Sequence, residues 1–178
     1  METRVLSIID VPTGAVAAGK SPDIFRSCAI GSCVVISAYC WQRRVGGLAH
    51  IMLPGNAPCN GILEKTKYAE NAIKELLCHM ETLEADMEAL DVCLVGAANV
   101  LKRPDDTVGQ NNLDSVIEIL EKKRIKIQAQ SVGGTNRRSV TFDIGKGTVF
   151  YTEGDEAERL LWVSKGTGGT FSSKGIVA

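Results

Sequence analysis

The chain is expected to fold as an α+β layered sandwich: sheets of short mixed strands with two long helices packed outside. Three observations carry this expectation. Short runs rich in β-branched residues, such as Val34-Val35-Ile36 and Val92-Cys93-Leu94-Val95, recur between glycine- and asparagine-bearing breaks. Two stretches change to a helical period, with apolar side chains at i, i+3, i+4 and i+7. The 178 residues, 44% apolar and 23% charged, are enough for one soluble domain with a core of its own. That domain is placed at residues 1–163, with 164–178 as a flexible tail rich in glycine, serine and threonine.

In chain order, Val5 to Val11 reads as a first strand, followed by a Pro-Thr-Gly turn, a small-residue segment and a break at Lys20-Ser21-Pro22-Asp23. Ile24-Phe25-Arg26 leads into Gly31-Ser32-Cys33 and the apolar run behind it. A second run, Gly46 to Leu53, follows after the polar Trp41-Gln42-Arg43-Arg44. Pro54 to Gly61 is loop by composition, close enough behind His50 to wall or gate a site there. Thr66 to about Leu90 is helical, with Ala69, Ala72, Ile73, Leu76, Leu77, Met80, Leu83, Met87 and Leu90 on the buried face. Asp91 to Gly96 is a buried strand, and the small Gly96-Ala97-Ala98 after it predicts a close backbone approach. Asn111 or Asn112 is the expected N-cap of a second helix with Leu113, Val116, Ile117 and Leu120 inward. Ile125 to Val132 alternates as a half-buried strand does, and Arg138–Asp143 with Thr148–Tyr151 reads as a hairpin. Leu160 to Val163 either docks or forms a short helix.

Bulk properties narrow the function. A net charge of −1 gives no electrostatic case for nucleic acid or an anionic membrane. No apolar run approaches the ~20 residues of a spanning helix and no secretory h-region follows a basic start, so a cytoplasmic location is expected. Six cysteines in such a compartment stay reduced; without a Cys-x-x-Cys and with only two histidines they make a poor zinc set.

One pairing carries chemistry. A hairpin centred between Trp41 and Gln42 sets Cys33 directly opposite His50, with Cβ atoms about 4.5–5.5 Å apart. A bulge at Gly46-Gly47 would shift that register. A thiol and an imidazole within reach can act as nucleophile and base, the thiolate being the reactive form. The amides around Ser32 and Cys33, in a turn, can hold an oxyanion. The alternative is a packing cysteine beside a satisfied core histidine.

Ile30-Gly31-Ser32-Cys33-Val34-Val35, followed by Gly46-Gly47-Leu48-Ala49-His50-Ile51-Met52-Leu53-Pro54, resembles the signature of the CheD family, the chemoreceptor glutamine deamidases. Lys67 to Ile73, Gly96-Ala97-Ala98, Gly109 with Asn112, and Gly133-Gly134 leading to Arg138–Asp143 resemble later family blocks in the same order. The resemblance covers roughly residues 5–150. It implies a layered α/β fold of the cysteine-hydrolase type. It also implies deamidation of glutamine side chains on methyl-accepting chemoreceptor helices, with release of ammonia and with neither metal nor organic cofactor. Carried onto this chain, Cys33 attacks the carboxamide, His50 protonates the leaving ammonia, and water hydrolyses the thioester. The family's third position is a threonine; here it is Ser27, whose hydroxyl would orient His50. Arg137 and Asn111 depart from the family's glycine and arginine, which bears on substrate or partner contacts. The family also implies a partner, the CheC phosphatase, and with it a second reading as an adaptor with little catalytic role. A cysteine hydrolase of small amides is a third reading, from outside the family.

Overall fold

The structure, a computed structural model, describes residues 5–59 and 64–167. Ten strands form two five-stranded sheets. The first sheet contains β1 (Ile8–Asp10), β3 (Ile24–Ile30), β8 (Arg138–Asp143), β9 (Thr148–Glu153) and β10 (Arg159–Val163), in that spatial order. The second runs β2 (Val16–Lys20), β5 (Val45–Ile51), β4 (Val34–Cys40), β6 (Asp91–Gly96), β7 (Ile127–Val132). The pairs β1/β3 and β6/β7 are parallel and the rest antiparallel, so both sheets are mixed.

The helices α1 (Ala69–Thr82) and α2 (Val108–Lys122) lie on one face of the second sheet, and the first sheet covers its other face. Alternate residues of β4 show this. Val34, Ile36, Ala38 and Cys40 pack with Ile73, Leu76 and Val116 of the helices. Val35 and Tyr39 pack with Phe25, Val140 and Phe142 of the first sheet. Strands covered on both faces have no polar side to present, and every residue of β4 and β5 is buried. The Tyr39 ring meets the edges of Phe142 and Trp162 across the inter-sheet space. The layered α+β architecture expected from the sequence is the one observed, with both helices on the same side.

Several elements differ from expectation. The small-residue segment after Gly14 is a strand: β2 pairs with β5, and its Val16 and Ala18 pack on the helix side while Ala17 faces the first sheet. At Gly47 of β5 a Cβ would press on the Leu76 side chain and the Ala17 carbonyl, so the helix can approach only over glycine. The first helix stops at Thr82, because Glu84 takes a left-handed φ of 65° and the Ala85 amide returns to the Met80 carbonyl. Leu83, Met87 and Leu90 still pack on the core, from an irregular segment and a short 3-10 turn. The second helix begins earlier than expected. Thr107 is its N-cap, and Asp106 Oδ1 receives the Val108 amide, so Asn111 and Asn112 lie inside the helix and neither caps it. Residues 159–163 form β10, antiparallel to β9.

Residues 54–57 are tied to both helices: the Gly55 amide donates to Ser115 Oγ and the Ala57 amide to Asn71 Oδ1. The end of the expected loop, Asn60 and Gly61, lies outside the described residues, as does the expected tail from residue 168 on.

Candidate active site

Two strands from different sheets supply the side chains that meet at the seam between those sheets. In β3 of the first sheet, Phe25 and Ser27 point inward and Arg26 between them points to solvent. A bulge follows Ser27, with Ala29 at φ 56°, and it carries the chain across to the Gly31-Ser32-Cys33 turn that opens β4. His50 comes up on β5, 1% exposed.

The β4/β5 register is regular, with no bulge at Gly46-Gly47, but it is not the expected one. Val35 stands opposite His50, and the hairpin is centred between Gln42 and Arg43. Four residues, Trp41 to Arg44, make the turn. Cys33 is therefore not directly opposite His50; it sits two residues along. A two-residue step keeps a side chain on the same face of the sheet. Cys33 packs with Val35, Leu48 and the first-sheet residues, and His50 reaches Ser27 of that same sheet, so both side chains enter the inter-sheet space. Cys33 stands one residue before the ladder, which opens at Val34 opposite Ile51.

His50 is held from several sides. Ser27 Oγ lies 2.8 Å from His50 Nδ1 and 2.8 Å from the Val11 carbonyl oxygen. A carbonyl only accepts, so the single hydroxyl hydrogen of Ser27 goes to Val11. Ser27 Oγ is then the acceptor toward the ring, Nδ1 carries the ring hydrogen, and Nε2 keeps its lone pair. The chain around Thr13 fixes the histidine backbone: the Gly14 amide donates to the His50 carbonyl and the His50 amide to the Ala15 carbonyl. Thr13 Oγ1 stands 3.5 Å from Nε2. Burial holds the imidazole below its ordinary 6.5, against a smaller opposing effect of the Val11 carbonyl. Burial thus favours the neutral ring, with its lone pair on Nε2.

Cys33 is half-buried, and burial pushes its thiol above the ordinary 9.0, opposed by its own backbone amide. Burial thus favours the uncharged form of both groups, the thiol and the imidazole. Of the other cysteines, Cys28, Cys59 and Cys78 are exposed, while Cys40 and Cys93 are buried, the latter with its thiol pushed up to about 12.

Three successive carbonyls of the Gly31-Ser32-Cys33 turn are pinned. The Gly31 carbonyl accepts from the Ala98 amide at 2.9 Å and the Cys33 carbonyl from the Ala97 amide at 2.7 Å. The Ser32 carbonyl accepts from Asn112 Nδ2 at 2.9 Å. The close approach predicted at Gly96-Ala97-Ala98 is this contact. Gly96 has φ 128°, and a Cβ there would run into the Cys33 carbonyl oxygen and lie 2.7 Å from Ile30 Cγ2. Among the described residues, the Ser32 and Cys33 amides donate to no backbone carbonyl. A cleft of about 410 Å³ opens against Ser32, walled by Leu101, Arg103, Asp105 and Val108.

The structure thus brings together the three residues singled out in the sequence, Ser27, Cys33 and His50, at the seam. It adds two that sequence reasoning missed. Thr13 leaves no local signal. Asn112 leaves one: an amide in the middle of an otherwise apolar helical stripe.

Comparison with known proteins bears on this site. The family model described as "CheD chemotactic sensory transduction" matches residues 52–153. A protein of Chlorobium luteolum named "Probable chemoreceptor glutamine deamidase CheD" is 36% identical over 150 residues, 84% of this chain and 75% of the relative. A protein of the same name from Methanococcus vannielii is 32% identical over 155 residues, 86% of this chain and 99% of the relative. Another, from Desulforamulus reducens, is 33% identical over 133 residues, 72% of this chain and 80% of the relative. The family match begins just after His50, but a stretch of 150 aligned residues in a chain of 178 necessarily takes in both Cys33 and His50.

Proposed function

The chain belongs to the CheD family, and from that premise we propose that it deamidates glutamine side chains of chemoreceptors through a thioester on Cys33. His50 Nε2 accepts the thiol proton as Cys33 Sγ attacks the side-chain carboxamide carbon. The carbonyl oxygen becomes an oxyanion facing the Ser32 and Cys33 amides. Collapse of the tetrahedral intermediate breaks the C–N bond, and the proton held on Nε2 passes to the departing ammonia. Water then gives a proton to Nε2 and attacks the thioester; the sulfur leaves, regains that proton, and the side chain is now glutamate. The groups doing this are all the chain's own side chains and amides, so no metal or organic cofactor enters the scheme.

The observation that carries the reading is the hydrogen-bond chain from Val11 through Ser27 to His50. It puts the ring hydrogen on Nδ1 and leaves Nε2 with the lone pair that a base needs. The half-buried thiol on the same face and the cleft beside Ser32 support it.

The test is incubation with the folded cytoplasmic fragment of a chemoreceptor, read by intact mass. A gain of one dalton per modified glutamine is expected. Free glutamine is expected to turn over far more slowly, since contacts remote from the amide contribute to transition-state binding. Binding of the fragment without any mass gain would favour an adaptor, and equal turnover of free glutamine a small-amide hydrolase.

A further inference from the structure

We propose that Asn112 is a positioning residue for the oxyanion: by holding the Ser32 carbonyl it aims the Cys33 amide at the oxygen of the reacting carboxamide. This rests on the thioester reading above and names a residue that the reading itself does not require.

Asn112 lies in the second turn of α2, wholly buried, on the stripe that also carries Gly109, Leu113 and Val116. Its Nδ2 donates to two carbonyls, Ser32 at 2.9 Å and Met52 at 3.0 Å. Two carbonyl acceptors can be served only by the amide nitrogen, with one hydrogen for each, so the orientation of the side chain is fixed by chemistry. Ser32 precedes Cys33, and Met52 follows His50 by two residues. One side chain therefore ties the turn that bears the thiol to the strand end that bears the imidazole.

Peptide planarity turns that tie into a direction. In a trans peptide the C=O and the N–H of the next residue point opposite ways. With the Ser32 oxygen drawn toward Asn112, the Cys33 N–H must point away from α2. The Cys33 amide also stands against its own thiol, where it opposes the effect of burial on that group. The donor and the attacking sulfur thus face the same space. The Gly31 carbonyl, held by the Ala98 amide, sets the Ser32 N–H in the same manner, but through a backbone contact that no side-chain change removes. Asn112 is the part of the arrangement that substitution can reach.

Its remaining polar atom argues that this geometry is selected for more than packing. Asn112 Oδ1 is buried without a hydrogen-bond partner among the described residues. A leucine would remove that unpaired oxygen but also both hydrogens that the Ser32 and Met52 carbonyls receive, so the amide is kept at the cost of its own acceptor. A locally unfavourable residue on the core face of a helix, against the site, is where function overrides packing.

The experiment compares two reactions of one thiol. Deamidation passes through an oxyanion, whereas alkylation of Cys33 by iodoacetamide, a displacement at saturated carbon, does not. In Asn112→Asp, which keeps the shape but loses both donated hydrogens, kcat on the receptor fragment should fall about ten- to a hundredfold, part of the ~10²–10³ that one oxyanion donor supplies. KM and the Cys33 alkylation rate, followed by peptide mapping, should stay close to the parent. Should the buried carboxylate prevent folding, Asn112→Ala carries the same comparison. Unchanged kcat, or alkylation falling in step with deamidation, overturns the proposal, and so does a chain that folds with neither variant, which would make Asn112 a structural brace. A parent protein that never turns over the fragment would instead sink the deamidase reading itself.

Discussion

Ser27 has one hydroxyl hydrogen, and the Val11 carbonyl takes it. Everything at the residue scale follows from that assignment, since it leaves Ser27 as acceptor for Nδ1–H and frees Nε2. Removing the hydroxyl in Ser27→Ala strands a buried ring N–H and a carbonyl together. Deamidation should fall about ten- to a hundredfold, within the ~10²–10⁴ that positioned acid–base groups supply, and the thermal midpoint should drop with it. Ser27→Thr keeps the oxygen and should keep the activity; a fully active Ser27→Ala would remove Ser27 from the machinery. The pH profile tests the protonation states separately. Burial lowers the imidazole below 6.5 and raises the thiol above 9.0. The active neutral pair therefore exists between those limits, and kcat/KM should be level from about pH 6.5 to 9.0. On the acid side, activity is lost only as the pH falls through the lowered value of His50. Stability moves the same way: the unfolded ring takes its proton near 6.5 and the buried one lower, so folding weakens as pH drops below 6.5 and levels off once His50 itself titrates. A preformed thiolate–imidazolium pair would show the reverse, a raised imidazole and a rate that declines before pH 9. Cys33 and His50 stood out in the sequence by type and by their place in two neighbouring apolar runs, and Ser27 only through the family resemblance. Their contact pattern was not legible there, because the Val11 carbonyl and Thr13 arrive from a segment that marks itself only as a turn.

Among the elements, the Gly31-Ser32-Cys33 turn is held by Ala97 and Ala98 on one side and by α2 on the other. Gly96→Ala should show how much depends on that cradle. The backbone conformation alone costs a non-glycine residue about 1–3 kcal/mol, and the new Cβ would also push against the Cys33 carbonyl oxygen and Ile30. Both the melting temperature and the deamidation rate should fall. Gly154→Ala is the control: it too has a left-handed φ, 59°, but its Cβ would meet only Asn136 at 3.9 Å, so it should lose some stability and keep its rate. If Gly96→Ala is no slower than Gly154→Ala, the cradle does not position the thiol. The sequence showed that something approaches Gly96-Ala97-Ala98 closely but not what, since the partner lies some sixty residues away in the chain. The hairpin register failed for a local reason. Trp41 to Arg44 form a four-residue turn, and moving the centre of a hairpin by one residue moves every pair by two. The face survived because the side-chain period is also two. The second helix was misplaced at its start because asparagine is a favoured N-cap residue, and here it was wanted inside the helix for its amide.

At the scale of the molecule, the site exists only where two sheets meet. Ser27 belongs to one sheet, Cys33 and His50 to the other, and the segment from Val11 to Ala15, crossing between them, closes over the imidazole. Local patterning foretold several of the strands and the layered class, but not β2 or β10 and not which strands share a sheet. The parallel β1/β3 pair and the β2/β5 pair join segments whose partners no turn signal announces. That division also separates the readings of this protein. A partner surface can survive loosening of the seam, whereas a proposed base that is oriented by a hydroxyl from the facing sheet cannot. The most direct test is therefore to trap the covalent intermediate: mix the protein with a folded receptor fragment, quench in acid within the first turnovers, and measure intact masses. We expect a species whose mass is the sum of protein and fragment less one ammonia, mapped to Cys33. It should be absent in Cys33→Ala, which should also fail to deamidate while melting like the parent. Parental deamidation by Cys33→Ala, with no such adduct in either protein, would contradict the account.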